Sequence, residues 1–538
     1  MSSICRPFTV QGKPFFPLGG QSRNSSGYNR AEAETAFKAL KLLHGNTLEI
    51  PVYWEQVEPE EGTFDWASVD TLLAMAREND VHLVLLWFGT WKNGCMEYAP
   101  AWVKRDPERF WRVINPYGNR VWVLSSHCEA TRQADEKAFC ALLAHLKEQD
   151  AQQQTVIAVQ IENEPGILGS DRDYGEAAEA MFQSPVPEGV LGLLQGLSSG
   201  GIWEAWQEAG GRQAGNWPEV LGARAGELMT AYSIARYIDS LAEAGRAVYD
   251  LPLYVNVWLG EAGWRAPGGT YPSGGAVSFA LDLWKWATPH IDLIAPDIYI
   301  ADADGYRAIC EAYARPDNPL FVPESAPGSS NAWHMFHAIA NTSAIGYHFF
   351  AIEHLVGPDG GVNPPAADIV GSFHAVASAI PLLLRYQGTD RIHAVMQLEG
   401  QGDQYLDLDG WTGVVRFGYG GVSYAGMDWR HTAADRALFQ APKAPRGRGL
   451  IFQESEDTFY LVGAAYRLGL RRKGPASQTM DPTQGDFLRE RQAPFISIDE
   501  GHFEGDTFVV DRRRNGDERD NGIWVEPDVQ VVRVIFAK

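Results

Sequence analysis

Between residues 14 and 386 short apolar runs alternate with longer segments of helical periodicity, and no other feature restricts the fold as strongly. The runs occupy residues 15–18, 47–52, 81–87, 155–161, 253–258, 293–299, 320–322 and 345–350. The periodic segments between them include residues 30–44, 67–79, 136–149, 226–249 and 277–287. Apolar runs bounded by helices read as parallel strands buried on both faces. Eight such units in series predict a (β/α)8 TIM barrel, here assigned to residues 1–387. A barrel of this kind typically needs about 250 residues, so the surplus must lie in loops. The largest candidate, residues 166–222, follows the fourth strand, on the face where barrels build their pockets. After a last helix at residues 366–386 the pattern changes to short strands broken by Gly and Asp. That change predicts a C-terminal all-β, sandwich-like domain at residues 388–538.

Composition narrows the partners. The chain has 45 Lys+Arg against 68 Asp+Glu, a formal charge of −23, which argues against nucleic acid because phosphate would be repelled. Its basic runs, Arg471-Arg472-Lys473 and Arg512-Arg513-Arg514, are short and lie among acids or turn residues. Of the 18 tryptophans only Trp411, Trp429 and Trp524 follow residue 340, so the barrel and the tail differ in character. Such aromatic richness builds a large core, and it can also stack the flat faces of sugar rings.

Chemistry concentrates at two strand ends. In Val156-Ile-Ala-Val-Gln-Ile-Glu-Asn-Glu-Pro-Gly166 an apolar strand ends in Glu162-Asn163-Glu164 and is stopped by Pro165-Gly166. Side chains alternate along a strand, so Asn163 and Glu164 cannot both be core. A carboxylate at the C-terminal end of a barrel strand faces the pocket. Asn318-Pro-Leu-Phe-Val-Pro-Glu324-Ser325 has the same design. Two carboxylates on opposed strand ends suit glycoside hydrolysis, in which one protonates the leaving oxygen and the other attacks the anomeric carbon or activates water.

The pair Asn163-Glu164 after strand four, with Glu324 after strand seven, resembles the retaining glycosidases of clan A. The segment Leu48-Glu-Ile-Pro-Val-Tyr-Trp-Glu-Gln-Val-Glu-Pro-Glu-Glu-Gly-Thr-Phe-Asp-Trp66 is similar to the second-strand signature of glycoside hydrolase family 35, the β-galactosidases. Cys95-Met96-Glu97 followed by Pro100-Ala101-Trp102 resembles that family's third-strand segment. Leu18-Gly-Gly-Gln-Ser-Arg-Asn-Ser-Ser26 resembles the first-strand loop of its bacterial branch, which carries a C-terminal β domain. The resemblance implies Glu164 as acid/base and Glu324 as nucleophile. It implies Asn163 on the sugar's 2-hydroxyl, Glu97 on ring hydroxyls, Tyr299 beside Glu324, and Asn24 in the sugar pocket. Trp54, Trp87 and Trp258, at strand ends, are candidate sugar platforms. Three places depart from the family's pattern. Arg23 stands where a His is expected, residues 346–354 differ, and Pro51 occupies the place of a strand-two tyrosine, for which Tyr53 is the candidate replacement. The mechanism therefore transfers more directly than galactose does.

The resulting expectation is an exo-acting retaining β-galactosidase acting on an oligosaccharide or glycoside, without metal or organic cofactor. A β-glucosidase or transglycosylase is the alternative within the chemistry; a non-catalytic glycan-binding protein is the alternative outside it. The stretch Gly196-Leu-Ser-Ser-Gly200 matches a nucleophile-elbow pattern but lacks the preceding strand. His334, His337, His348 and His354 have no acidic partner at ligand spacing. The five cysteines are odd in number and never paired as C-x-x-C, which gives neither a disulfide framework nor a zinc site. With no leader and no apolar run of membrane length, the chain as written reads as cytoplasmic and not membrane-bound, or as periplasmic if a leader was removed. Trp- and Gly-rich loops leave room for a homo-oligomer in which subunits close each other's sites.

Overall fold

Eight parallel strands make one sheet: β1 (Leu18–Gln21), β2 (Thr47–Tyr53), β3 (His82–Lys92), β4 (Val156–Asn163), β5 (Leu253–Trp258), β6 (Leu293–Ile298), β7 (Glu324–Ser325) and β8 (Tyr347–Phe350). From β1 to β7 each pairs with the next in sequence, and β8 pairs with β1 in the register Tyr347↔Leu18 to Phe350↔Gln21. A bridge between Val322 and Tyr347 closes the last seam, so the sheet is a barrel. The computed structural model describes residues 7–260, 265–328, 331–398, 402–417, 423–424, 427–428, 446–473, 495–514, 523–526 and 530–537.

The helices α1 (Arg30–Leu42), α2 (Ala67–Glu78), α3 (Glu129–Asp150), α4 (Ala225–Val248), α5 (Leu281–Ala287), α6 (Ala303–Tyr313) and α7 (Asn331–Asn341) follow successive strands and bury their apolar stripes. Asn29 caps α1 by accepting the Glu32 N–H, which satisfies an orphan donor of the first turn. Closure of β1 on its neighbours depends on small residues. A Cβ at Gly20 would meet Ile352 Cγ2 at 2.0 Å, and one at Gly19 would meet the Thr47 carbonyl oxygen at 1.8 Å.

Three expected elements shift. The run at 320–322 carries only the Val322 bridge, and the seventh strand is Glu324–Ser325. The run at 15–18 is divided. Lys13–Phe15 pairs antiparallel with Phe8–Val10, and the barrel strand begins only at Leu18. That hairpin brings Phe8 against Phe321, ring centroids 5.3 Å apart, within the barrel's inner apolar cluster. The helix expected at 366–386 is two, α8 (Ala367–Ser378) and α9 (Ile380–Tyr386), because Pro381 has no N–H to continue the ladder. The insert after β4 holds four short helices, Glu176–Gln183, Glu188–Gly196, Gly201–Glu208 and Trp217–Leu221.

The C-terminal strands are β9 (Ile392–Met396), β10 (Gln404–Leu408), β11 (Trp411–Phe417), β12 (Arg448–Gln453), β13 (Thr458–Ala464), β14 (Tyr466–Arg472), β15 (Phe495–Glu504), β16 (Thr507–Arg513), β17 (Ile523–Val525) and β18 (Val531–Phe536). They form antiparallel sheets ordered β9-β12-β13-β18-β15-β16 and β10-β11-β14-β17. Val395, Trp411, Val415, Ile451, Leu468 and Val534 fill the space between them. The opposite face of β9, β12 and β13 presents Ala394, Leu450 and Val462 to the barrel's own apolar core. Arg448, buried at that seam, donates Nε to Ser372 Oγ at 2.7 Å and pairs with Asp368 at 3.1 Å. The basic run at 512–514 is neutralised locally by Asp499 and Glu500.

Candidate active site

At the tip of β4 the strand abandons alternation. Glu162 (φ 63°) and Glu164 (φ 46°) both adopt left-handed backbone, costing on the order of 1–3 kcal/mol each for a non-glycine residue. The first turns Glu162 away from the pocket, into the layer between barrel and helices. There its carboxyl accepts the Thr90 and Trp91 N–H groups at 3.1 and 2.6 Å. Asp135 lies beside it and accepts from Trp87 Nε1, Thr90 Oγ1 and the Tyr237 hydroxyl at 2.9, 2.7 and 3.1 Å. Burial and the neighbouring Asp135 charge hold the Glu162 carboxyl well above the usual carboxylate range. The second left-handed residue is compensated by Asn256, whose Oδ1 accepts the Glu164 N–H at 2.7 Å. Asn163 and Glu164 can thus both serve the pocket. Asn163 Oδ1 accepts from Lys92 Nζ at 2.7 Å, and its buried Nδ2 has no hydrogen-bond partner among the protein's groups.

Glu324, at the start of β7, stands in register with Asp297 of β6, which stands in register with Trp258 of β5. Carboxylate oxygens of Glu164, Asp297 and Glu324 all lie within 4.8 Å of one another, and none of the three residues is more than 6% exposed. Gln21 Nε2 donates to Glu324 Oε1 at 2.8 Å, and the Tyr299 hydroxyl lies beside this carboxylate. Asn256 Nδ2 donates to Asp297 Oδ2 at 2.7 Å, so one amide secures both Glu164 and Asp297.

Three carboxyls this close cannot all be ionised. Burial is the largest influence on each and raises all three. Asp297 is held well above the usual range by burial and then by its two acidic neighbours. Glu324 is pushed up to about 7 by burial and by Glu164, while Lys92, Tyr299 and Gln21 pull it down. Donors that favour the ionised form thus gather on Glu324. Glu164, raised by burial, is moderated by Lys92 and by the adjacent Asp297 carboxyl. Such unequal surroundings are what separate a nucleophile from an acid. The same three carboxyls are close enough to share a cation, but the Lys92 ammonium already supplies positive charge to Glu164 and Glu324.

Beneath this layer a polar group is set into the barrel interior. Glu49 and His348, both fully buried, hydrogen-bond through Nδ1, and the Tyr254 hydroxyl donates to Glu49 Oε2 at 3.2 Å. Burial pushes Glu49 well up and His348 down to about 3.

The expected substrate contacts divide. Tyr299, 47% exposed, and Trp258, half-buried, stand at the mouth of the carboxyl cluster. Asn24 has a buried Oδ1 without a hydrogen-bond partner, in the loop after β1. Glu97 is exposed in the loop after β3, and its carboxylate is not drawn into the cluster. Trp54 is no platform: it is fully buried, donates Nε1 to Glu58 Oε2 at 2.8 Å and packs edge-on against Trp102. Trp87 is likewise core, tied to Asp135. Tyr53 turns from the pocket to the β1 loop, donating to the Asn24 carbonyl oxygen at 2.5 Å and accepting the Gly27 N–H at 3.0 Å. Glu353, after β8, accepts the Arg23 N–H at 3.0 Å and fixes that loop from the other side. The residues that sequence reasoning missed are Gln21, Lys92, Asn256 and Asp297. Asn256 and Asp297 left a signal: each is a polar residue inside an otherwise apolar strand run. The serine pattern at 196–200 joins two helices at the surface, and His334 and His337 belong to α7.

Residues 25–189, from the β1 loop through Glu164 into the insert, match the family model described as β-galactosidase, glycoside hydrolase family 42. Residues 369–526 match the model of a domain of unknown function, DUF5597. The chain is 31% identical over 176 residues to human beta-galactosidase-1-like protein 3, covering 31% of this chain and 24% of that protein. It is 25% identical over 183 residues to a beta-galactosidase of Xanthomonas manihotis, covering 32% and 28%. The aligned region thus spans only about a quarter of these curated relatives. Among solved structures, the beta-galactosidase of Bacillus circulans sp. alkalophilus aligns with TM-score 0.49 at 14% identity, covering 70% of this chain and 58% of that one. The beta-galactosidase of Halorubrum lacusprofundi aligns with TM-score 0.49 at 17% identity, covering 68% and 58%. The barrel segment is therefore similar to β-galactosidases of the clan A glycosidases, and the family model it matches is that of family 42.

Proposed function

We propose that this chain is an exo-acting retaining β-glycosidase of the β-galactosidase type. The observation that carries the reading is the approach of Glu164 and Glu324, with Asp297, to within 4.8 Å at the C-terminal end of the barrel. Retaining enzymes hold their two carboxyls about 5–5.5 Å apart, inverting enzymes wider to admit a water. In the first step a Glu324 oxygen bonds to the anomeric carbon while the bond to the leaving oxygen breaks and Glu164 gives that oxygen its proton. In the second, water attacks the same carbon, Glu164 takes the water's proton, and the bond to Glu324 breaks. The free Nδ2 of Asn163 is suited to a sugar hydroxyl, and its orientation is set by Lys92.

Galactose as the sugar is supported by the β-galactosidase family model over residues 25–189 and by the similarity of the 48–66 and 95–102 segments to family 35. The finer membership in family 35 rests on those segments alone. Glu324→Ala should abolish turnover of an aryl β-glycoside, and azide should restore it as a glycosyl azide; undiminished activity in that variant removes the nucleophile assignment. A panel of aryl β-galactoside, glucoside, fucoside and arabinoside should be hydrolysed best at galactose. Preference for glucoside would overturn the sugar while leaving the mechanism standing, as the departures at Arg23 and Pro51 allow.

A further inference from the structure

The two-carboxyl scheme uses Glu164 and Glu324 and leaves a third buried carboxyl unexplained. Asp297 is 2% exposed, in register with Glu324, and within 4.8 Å of both catalytic candidates. An acid beside two others is electrostatically costly unless it is neutral, and a costly group held between the reacting carboxyls needs a function. Its partners specify one. Asn256 donates to Asp297 Oδ2 at 2.7 Å, and the same Asn256 accepts the N–H of Glu164, whose left-handed backbone requires external support. The other oxygen of Asp297, Oδ1, is buried without a hydrogen-bond partner, and Asp297 and Glu164 bring carboxylate oxygens within 4.8 Å of one another.

We propose that Asp297 is a positioning residue for the acid/base of the reaction above: as a neutral acid clamped by Asn256, it donates a hydrogen bond to one oxygen of Glu164 and leaves the other oxygen free for the substrate. The inference rests on the glycosidase reading. The Asp297 proton is not consumed. When Glu164 has protonated the leaving group and carries charge, the donor stabilises that carboxylate until water returns the proton. Burial and the adjacent charges of Glu324 and Glu164 raise the Asp297 carboxyl and so favour its protonated form. Glu49, on β2, also raises Asp297, while Lys92, on β3, lowers Glu164 and Glu324.

A group that acts through the acid matters only when the leaving group needs a proton. The test compares kcat/KM for two glycosides of the sugar that wild type turns over fastest, one with an alkyl and one with a 2,4-dinitrophenyl leaving group. General acid catalysis is worth about 10²–10⁴-fold, so Asp297→Ala should lose on the order of 10²-fold on the alkyl glycoside and less than about tenfold on the dinitrophenyl one. Asp297→Asn keeps an N–H toward Glu164, and its deficit on the alkyl glycoside should be at least about tenfold smaller than that of Asp297→Ala. If the alanine variant does not fold by circular dichroism, Asp297→Ser, too short to reach Glu164, takes its place with the same expected split. Equal losses on both substrates, or no advantage of Asn over Ala or Ser, overturn the proposal. A wild-type protein that cleaves neither glycoside overturns the glycosidase reading instead.

Discussion

Lys92→Met tests the electrostatics of the site most directly. It removes one positive charge beside Glu164 and Glu324 while keeping an unbranched apolar stem, near the Phe88 ring over which the ammonium sits at 5.3 Å. Lys92 lowers the pKa of both glutamates. An opposite charge within about 4–6 Å is worth about 1–3 pKa units, each about 1.36 kcal/mol. The sign follows from the proposed roles. Glu324 must be ionised to attack, so raising its pKa moves the acid limb of kcat/KM to higher pH. Glu164 must be protonated to act as acid, so raising its pKa moves the alkaline limb the same way. With Glu324 at about 7, a one-unit rise takes the ionised fraction at pH 6 from about 9% to about 1%, roughly a tenfold loss, while at pH 9 the same rise changes it little. The assay is kcat/KM for an aryl β-galactoside between about pH 5 and 9, with thermal melts to establish folding. Unmoved limbs, or limbs displaced to lower pH in a folded variant, refute the reasoning. A uniform drop across all pH values points instead to misorientation of Asn163, which loses its 2.7 Å hydrogen bond.

Glu162 has its pKa raised in the fold by burial and Asp135, so its contribution to stability is full below the unfolded value and is lost as pH rises toward the folded one. Asp135→Asn removes the like charge, and the melting temperature of that variant should fall less steeply than that of wild type above about pH 5; equal slopes argue against the coupled pair. Trp54→Ala should cost about 3–5 kcal/mol in urea denaturation with little change in KM, because the ring is core and not sugar platform. Trp258→Ala should do the reverse, raising KM severalfold with a smaller stability loss, and a matching pattern in the two variants contradicts the assignment.

The order of strands and helices was legible because apolar periodicity is a local property: a buried parallel strand must be apolar on both faces, whatever its neighbours. Glu164 was legible for a related reason, since a carboxylate ending such a strand has few places to go but the pocket; Glu324 was singled out by the same pattern, although it opens β7 instead of ending a strand. The tryptophans were not. A strand-end Trp reads the same whether its ring meets solvent or a helix, and only the packing against Trp102 and the hydrogen bond to Glu58 turn Trp54 into core. Alternation also predicted opposite faces for Asn163 and Glu164; left-handed backbone at Glu162 and Glu164, held by contacts from Asn256, Thr90 and Trp91, made them neighbours.

By itself, then, the sequence determined eight barrel units, a β-rich tail and two acids at strand tips, because each of these follows from residue type and short-range pattern. Tertiary structure alone decided that Asp297, Asn256, Lys92 and Gln21 complete the site. Their meaning comes from distances across strands far apart in sequence, and the cost of burying a charge there depends on which partners those distances supply.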